Sequence, residues 1–548
     1  LEILSSRGGQ LKINSIINSR LFSWILFIGL GCSIYIHLLL SQDAINPDAQ
    51  IIIPHIESFD RLVDYLKALL SFKTFDIQPL RDLSLWLDIK IYHSLGYNSF
   101  VLHNLLIWIL IVHQVTQIIR TSSLQIDSVK ITLIGAGFLV YPLFSQAVSW
   151  GMARKHLLSI YFILLATKFI LEKNRTPYRI VFFYLLSVLS HPIALGWPLW
   201  ATCYQWLNKD RNIRSWTPLF IVLALMLVMF GVTYSYYDSS QLFKNFFGER
   251  TVEIFNLPDK VLSLGHYSFQ IFFPYLLSYR YFLGHWSSLI GLAFMVIFLC
   301  FLYARKVPRS DIIHWGLFIL LPLGMVTAKS DVFYDTYTIL PSIGVLFLVI
   351  KAIEKIRPSH IKLLLIPTII IWSYVSHVNA ERWRDEVTLA RVGFENRPTC
   401  DTAFDYLKIS YENSKPPENK LAKDLVITHN CKSSVLAPEN VLVVKAFILY
   451  YDETMSRELK IQYLTAYSQK TLLPKMILVA ELIKQKLFKE ADVQILQMTH
   501  QWGNILFPDQ YVPIVAKVLK PYCEERTNQK CLAFINPFSK KKDKFYYK

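Results

Sequence analysis

The sequence predicts an all-α protein: a polytopic membrane helix bundle over residues 1–379, with roughly eleven spans, followed by a helical-repeat domain over 380–548. Three features predict it. Of 548 residues, 53% are hydrophobic and 14% aromatic, and the mean hydropathy is positive, a composition that water-soluble domains rarely show. Apolar runs close to the ~20 residues that cross a bilayer recur from Leu21 to Asn379. From Ala380 onward charge becomes frequent and the apolar residues fall at spacings of three and four, which predicts a water-exposed helical domain.

The expected spans are Leu21–Ser41, Ser99–Ile119, Ile131–Val148, Leu157–Leu171, Ile180–Ser190, Ile193–Leu207, Thr217–Tyr236, Leu289–Tyr303, Ile312–Thr327, Thr338–Ile350 and Leu363–Val378. Lys and Arg set their orientation. Arg7, Lys12 and Arg20 precede the first span, and every second connection is basic: Arg120 and Lys130; Lys173, Arg175 and Arg179; Lys209, Arg211 and Arg214; Arg305, Lys306 and Arg309; Lys351, Lys355 and Arg357. These ends are expected in the cytoplasm, with the N-terminus. An odd number of spans then puts the C-terminal domain outside, in the periplasm if the membrane is a bacterial inner membrane. Leu21–Ser41 has no small-residue cleavage site and reads as an anchor rather than a signal peptide. The formal charge of +17 is accounted for by these inside loops and the basic end "SKKKDKFYYK", so nucleic-acid binding is not expected.

Cysteine usage agrees with that topology. Cys32, Cys203 and Cys300 lie in apolar spans, whereas Cys400, Cys431, Cys523 and Cys531 form an even set in the C-terminal domain. An oxidising compartment would let those four pair, most economically Cys400 with Cys431 and Cys523 with Cys531, although three pairings are open.

Two outside loops are long. In the first, residues 42–98, "SQDAINPDAQIIIPHIESFDRLVDYLKALLSF" and "IQPLRDLSLWLDIKIYHSLGY" have helical apolar spacing and read as helices lying on the membrane surface. The second, residues 237–288, holds the aromatic-rich "LPDKVLSLGHYSFQIFFPYLLSYRYFLGH", expected to be interfacial or re-entrant. A short outside turn, "SWGMARKH", breaks the positive-inside pattern with Arg154, Lys155 and His156. Cations in such a place need an anionic partner: lipid headgroups met by snorkelling side chains, or the phosphate of a lipid-linked donor.

Four stretches occur in a telling order: "IQPLRDLSLWLDIKIYHSLGYNSFVLHNLLIW", "YPLFSQAVSWGMARKHLLSIYFILLA", "YDTYTILPSIGVLFLVI" and "NAERWRDEVTLARVGFENRPTCDTAFDYLKISYEN". Collinearly they resemble the membrane-embedded C-type (GT-C) glycosyltransferases with tetratricopeptide tails, the transmembrane and tetratricopeptide-repeat O-mannosyltransferases and their bacterial relatives. The resemblance implies transfer of a sugar from a polyprenyl-phosphate donor to a protein or glycan acceptor on the outer side of the membrane.

Such chemistry needs a carboxylate to deprotonate the acceptor and cations to hold the departing phosphate. The resemblance implies Asp48 or Asp43 as the base and Arg154, Lys155, His156 and Arg81 as the phosphate-binding set, with His191, Tyr334, Asp335 and Tyr337 as further cavity residues. Ala49 stands where the family has a second acidic residue and Gln78 where it has an Arg. His191 and Pro192 replace a Lys-Glu pair, and "YDTY" replaces an Arg-Tyr. A catalytically degenerate membrane scaffold that binds an envelope partner is therefore the alternative. Trp383, just past the last span, reads as an interfacial anchor. No Cys or His spacing marks a metal site, no Gly-rich phosphate loop occurs, and nothing in the sequence calls for a divalent cation, although the chemistry admits one.

In the tail, "CDTAFDYLKISYEN", "ENVLVVKAFILYY", "KMILVAELIKQKLFKEADVQILQM" and "YVPIVAKVLKPYCEE" read as paired tetratricopeptide-like helices, which would present a concave docking surface for an acceptor.

Overall fold

The computed structural model describes most of residues 20–525; residues 1–19, 42–52, 71–77, 240–256, 428–443, 503–518 and 526–548, with short stretches between helices, are outside the described residues. The chain forms two compact units, Leu1–Asp385 and Glu386–Lys548. This boundary falls a few residues beyond the expected one, because the last helix of the first unit runs to Glu381 and a 3-10 turn, Arg382–Arg384, packs back on it.

The first unit contains α1 (Arg20–Leu40), α2 (Leu62–Leu70), α3 (Pro79–Leu95), α4 (Phe100–Thr121), α5 (Ser128–Leu139), α6 (Ser145–Ser149), α7 (Arg154–Leu171), α8 (Pro177–Ser190) and α9 (Trp197–Leu207). It continues with α10 (Ile213–Ser239), α11 (Leu257–Phe272), β1 (Tyr281–Phe282), α12 (His285–Ala304), α13 (Arg309–Thr327), β2 (Val332–Phe333), α14 (Ile339–Ile353) and α15 (Pro358–Glu381). A helix occupies every apolar stretch expected to span. Among the described residues five helical segments are long and apolar enough to cross a membrane: Leu21–Leu40, Phe100–Thr121, Trp286–Ala304, Asp335–Ile353 and Leu363–Arg384. A sixth is added if Ser128–Leu139 and Pro142–Ser149 count as one span bent by 50°. Of the other stretches, α8 and α9 are short, 14 and 11 residues, because the 3-10 turn that begins at Pro192 separates them.

Burial sorts these helices. Only 17% of the best apolar window is buried in Trp286–Ala304 and in Leu363–Arg384, against 67% in Asp335–Ile353. The outward side chains of the first two are large and apolar, among them Trp286, Val296, Ile297, Leu363 and Ile370. A surface of that chemistry is stable against lipid and not against water, so the chain is a membrane protein. The central core lies among α4, α5, α6 and α7, where Trp108 packs edge-on against Phe144 and donates its indole N–H to the Leu139 carbonyl at 3.1 Å.

The two loop helices expected on the outer side form as α2 and α3. Gly96 ends α3 in the left-handed region, φ 64°, with its N–H on the Tyr92 carbonyl at 2.8 Å, and the chain turns there into α4. The second long loop supplies α11, which packs backbone to backbone against α12. A Cβ at Gly265 would lie 2.2 Å from the Ser288 carbonyl oxygen, and one at Gly291 would lie 1.8 Å from that of Gly265, so both positions require glycine. β1 and β2 form a two-residue antiparallel pair, Tyr281 opposite Phe333 and Phe282 opposite Val332. No strand was expected, since a pairing this short has no sequence periodicity to betray it. Trp383 does not stand at an interface as expected: it is buried and stacks on Trp150 with 6.5 Å between centroids.

The second unit is helical: α16 (Glu386–Asn396), α17 (Cys400–Glu412), α18 (Lys420–Ile427), α19 (Arg457–Ser468), α20 (Leu472–Lys484), α21 (Phe488–Trp502) and α22 (Lys520–Glu525). Successive helices pack on one another, α16 on α17, α17 on α18, α19 on α20 and α20 on α21, around Phe404, Leu407, Met476, Val479, Ala491 and Ile495. The reversal between α20 and α21 turns on Lys486, a non-glycine residue at φ 61°.

Cys400 and Cys523 are disulfide-bonded, whereas Cys32, Cys203 and Cys300 are free; Cys431 and Cys531 are outside the described residues. Alkylation of denatured, unreduced protein from its native membrane should therefore label Cys32, Cys203 and Cys300 and reach Cys400 and Cys523 only after reduction. Mass mapping that finds Cys400 or Cys523 labelled before reductant would contradict the fold of the second unit.

Candidate functional site

Two constellations meet where α7 begins. The first is ionic. On α3, Ser84 and Asp88 stand four residues apart and face the bundle; on α4, Phe100 with Asn104 and Ser99 with His103 repeat that spacing, so each pair lies on one helical face. Asp88 is completely buried. It accepts from Ser99 Oγ at 2.5 Å and contacts His103 Nδ1 and the Arg154 guanidinium. Arg154 also donates from Nε to Asn104 Oδ1 at 3.0 Å, from one terminal nitrogen to the Ser84 carbonyl at 3.2 Å and from the other to the Phe100 carbonyl at 2.9 Å. Asn104 in turn donates to the carbonyls of Ala147, Val148 and Trp150, the last at 2.9 Å. One aspartate and one arginine thus bind the loop helix α3, the start of α4 and the 145–154 turn into a single unit.

Electrostatics fit this geometry. Burial by itself would raise the Asp88 pKa, but the hydrogen bond from His103, the charge of Arg154 and the hydrogen bond from Ser99 together hold it below the usual aspartate value. Asp88 was not singled out in the sequence. Its signal was weak: an acidic residue inside the apolar run "LWLDIKI", facing no partner visible along the chain.

This placement corrects the expected role of Arg154. Its side chain is buried and committed to Asp88, Asn104 and two backbone carbonyls, so it is an internal brace and does not present itself to a donor phosphate. The same correction applies to Arg81. Its guanidinium lies 2.6 Å from Asp82 Oδ1 and 3.0 Å from Gln78 Oε1, and Tyr65 donates its hydroxyl to Asp82 at 2.7 Å. Gln78 serves here as the acceptor for Arg81. Lys155 is half-buried. Asp43, Asp48 and Tyr334 are outside the described residues.

The second constellation is built from rings. His156 lies two residues beyond Arg154 and so points to another side of α7. Its ring centroid is 4.2 Å from that of His191 and 5.0 Å from that of Tyr337. His191 caps the 3-10 turn Pro192–Ala194: its Nδ1 accepts from the Ile193 N–H at 3.1 Å, which leaves the ring proton on Nε2. Tyr337 belongs to the 3-10 turn Asp335–Thr338, which packs on α6 through the Thr336 N–H, bonded to Gln146 Oε1 at 3.2 Å. The bend at Pro142 in the α5–α6 span is what brings Gln146 to this place. Beneath Tyr337 lie Ile193, Tyr267 and Leu323. His156, expected in the phosphate-binding set, and His191 and Tyr337, expected as further cavity residues, are thus neighbours drawn from three separate parts of the chain, with Asp335 in the turn that carries Tyr337. Among the described residues no group of three or more His, Cys, Asp or Glu side chains is placed to hold a metal ion.

Comparison with known protein families, with curated proteins and with solved structures finds no match.

The brace makes a quantitative prediction. Arg154→Ala strands a buried carboxylate and should cost about 3–5 kcal/mol of stability, while Asp88→Asn combined with Arg154→Gln, which removes both charges, should cost clearly less. Melting in detergent measures both. Because the folded Asp88 pKa lies below the ordinary 3.8, its contribution is complete above that value and is lost as pH falls through the lower folded value. The parent should therefore lose more melting temperature in that acid window than Asp88→Asn does.

Proposed function

We propose that this protein is an integral membrane glycosyltransferase of the GT-C type, which takes a sugar from a polyprenyl-phosphate carrier and passes it to a protein or glycan acceptor on the extracytoplasmic face. The observation that carries the reading is the convergence of His156, His191, Asp335 and Tyr337 in one buried cluster beside the braced first-loop helix. These residues are far apart in sequence, and a site needs convergence where a scaffold does not. In this reading Asp48 or Asp43 is the base, Lys155 meets the carrier phosphate with His156 beside it, and Arg154 positions them through the turn it braces. The C-terminal unit is a tetratricopeptide-like module that offers its helices to the acceptor.

The topology proposed with it has about eleven spans, a cytoplasmic N-terminus and an extracytoplasmic C-terminal domain. It is supported by a helix at each apolar stretch and by disulfides at Cys400 and Cys523. One observation favours a second reading, the catalytically degenerate scaffold: Arg154 and Arg81, two of the cations a phosphate would need, are closed into internal pairs.

Two experiments decide between them. A reporter that works only outside the cytoplasm should be active when fused after Lys548 and silent in the Lys209–Arg214 loop; the opposite pattern removes the proposed placement. In nanodiscs, protein given radiolabelled polyprenyl-phosphate sugars and a membrane extract should transfer label, and Asp48→Asn should stop turnover with little change in carrier binding. Absence of any carrier binding by the parent protein would leave the scaffold reading standing.

A further inference from the structure

The chain leaves the span Leu21–Leu40 and enters the span Phe100–Thr121 at the same face of the bilayer: the Tyr97 hydroxyl, just before the second, donates to the Leu39 carbonyl at the end of the first at 3.2 Å. Helices α2 and α3 lie between these two points and therefore sit at a membrane boundary. Both turn apolar side chains outward. On α2, Leu62, Val63 and Leu66 are exposed; on α3, Leu83 and Leu87 are exposed with half-buried Trp86 beside them. Residues 83, 86, 87 and 90 recur at three and four, so they share one face of α3, turned away from Asp88 and its brace. An uncovered apolar patch of this kind marks a contact with something outside the chain.

A narrow cleft opens between the two helices, lined on its apolar side by Ile56, Phe59, Leu62, Leu83 and Trp86. The polar wall, Tyr65 and Asp82, is spent within the chain: Tyr65 donates its hydroxyl to Asp82 at 2.7 Å, and Asp82 takes the Arg81 guanidinium. What the cleft offers a guest is hydrocarbon and ring faces. Charge stands at its edge. Arg61, which also lines the cleft, has an 80% exposed side chain, and its contact with Asp64 at 3.2 Å is one that water screens. The Lys90 ammonium rests 5.2 Å from the centre of the Trp86 ring.

Hydrocarbon within and cations at the rim fit an amphiphile with an anionic head. A protein partner would call for hydrogen-bonding groups across the contact, about one per 100–200 Å², and those of the cleft wall are already taken. Tryptophan and lysine side by side next to the start of a span suit the headgroup region of a bilayer. We propose that the cleft between α2 and α3 binds an anionic phospholipid, with an acyl chain along Ile56, Phe59, Leu62, Leu83 and Trp86 and the headgroup phosphate on Arg61 and Lys90. The inference does not depend on the glycosyltransferase reading. It gives the Asp88–Arg154 brace a consequence on the far side of α3, because a helix fixed to the bundle presents a fixed face to the lipid.

The test places the full chain in phosphatidylcholine nanodiscs with a trace of phosphatidylglycerol or of phosphatidylcholine, each carrying a diazirine in its acyl chain. After irradiation, peptide mapping should find label on residues 56–66 and 83–87, with phosphatidylglycerol labelling them about tenfold more than phosphatidylcholine, the worth of two interfacial cations. The two tracers should label lipid-facing α12 and α15 alike. Arg61→Gln with Lys90→Gln should bring the ratio in the cleft close to one and leave the melting temperature unchanged, since both side chains are exposed. Leu62→Gln with Leu83→Gln should lower the labelling by both tracers. No enrichment over α12 and α15, equal labelling by the two tracers, or a ratio that survives Arg61→Gln with Lys90→Gln overturns the inference. So does displacement of the label by polyprenyl phosphate and not by unlabelled phosphatidylglycerol, which would assign the cleft to the carrier. In native membranes, a photoreactive benzoylphenylalanine in place of Leu87 should yield lipid adducts; a polypeptide as the main adduct would make this face a protein interface and overturn the lipid site.

Discussion

The buried contact between Asp88 and Arg154 is the constraint on which the rest of this end of the bundle depends. An isolated charge in this interior would be prohibitively unstable, so each side chain enforces the position of the other. Through Ser84 and Asp88 the pair fixes α3, through Phe100 and Asn104 it fixes the start of α4, and through Asn104 it fixes the carbonyls of the turn that precedes α7. A loop helix that could otherwise lie loosely on the membrane surface is tied to the bundle by groups that water does not screen.

The brace also settles what its neighbours can do. Arg154 and His156 are separated by one residue and therefore leave α7 in different directions, the arginine toward α3 and α4 and the histidine toward His191 and Tyr337. Charge is paired on one side, and imidazole and phenol rings gather on the other. The bent α5–α6 span adds Gln146 to the histidine side, and the apolar layer of Ile193, Tyr267 and Leu323 closes it from below. Close packing at Gly265 and Gly291 holds α11, which carries Tyr267, against α12.

The sequence made the membrane bundle legible because lipid imposes a long, one-dimensional signal: a run of apolar residues is visible without knowing what it packs against. The same holds for α3, whose length and end could be read from Pro79 and Gly96. Short pairings left no such trace, and β1 with β2 was invisible for that reason. The candidate site was legible as a set of positions and not as a set of roles. His156, expected beside a phosphate, meets His191 and Tyr337, expected as cavity residues, whereas Arg154 and Arg81 were expected to face a phosphate and face Asp88 and Asp82 instead.

By itself, then, the sequence determined that this chain is an all-helical membrane protein with a separate helical unit after it, that its apolar helices lie where they do, and that unusual cations begin α7. Only the tertiary structure decided that the arginine is a brace, that Asp88 is its partner, and that His156, His191 and Tyr337 meet beside it. The physical reason is one of range. Hydrophobic period and length are properties of neighbouring residues, whereas the partner of a charge or a hydroxyl is fixed by the packing of helices dozens of residues apart, and no local pattern records it.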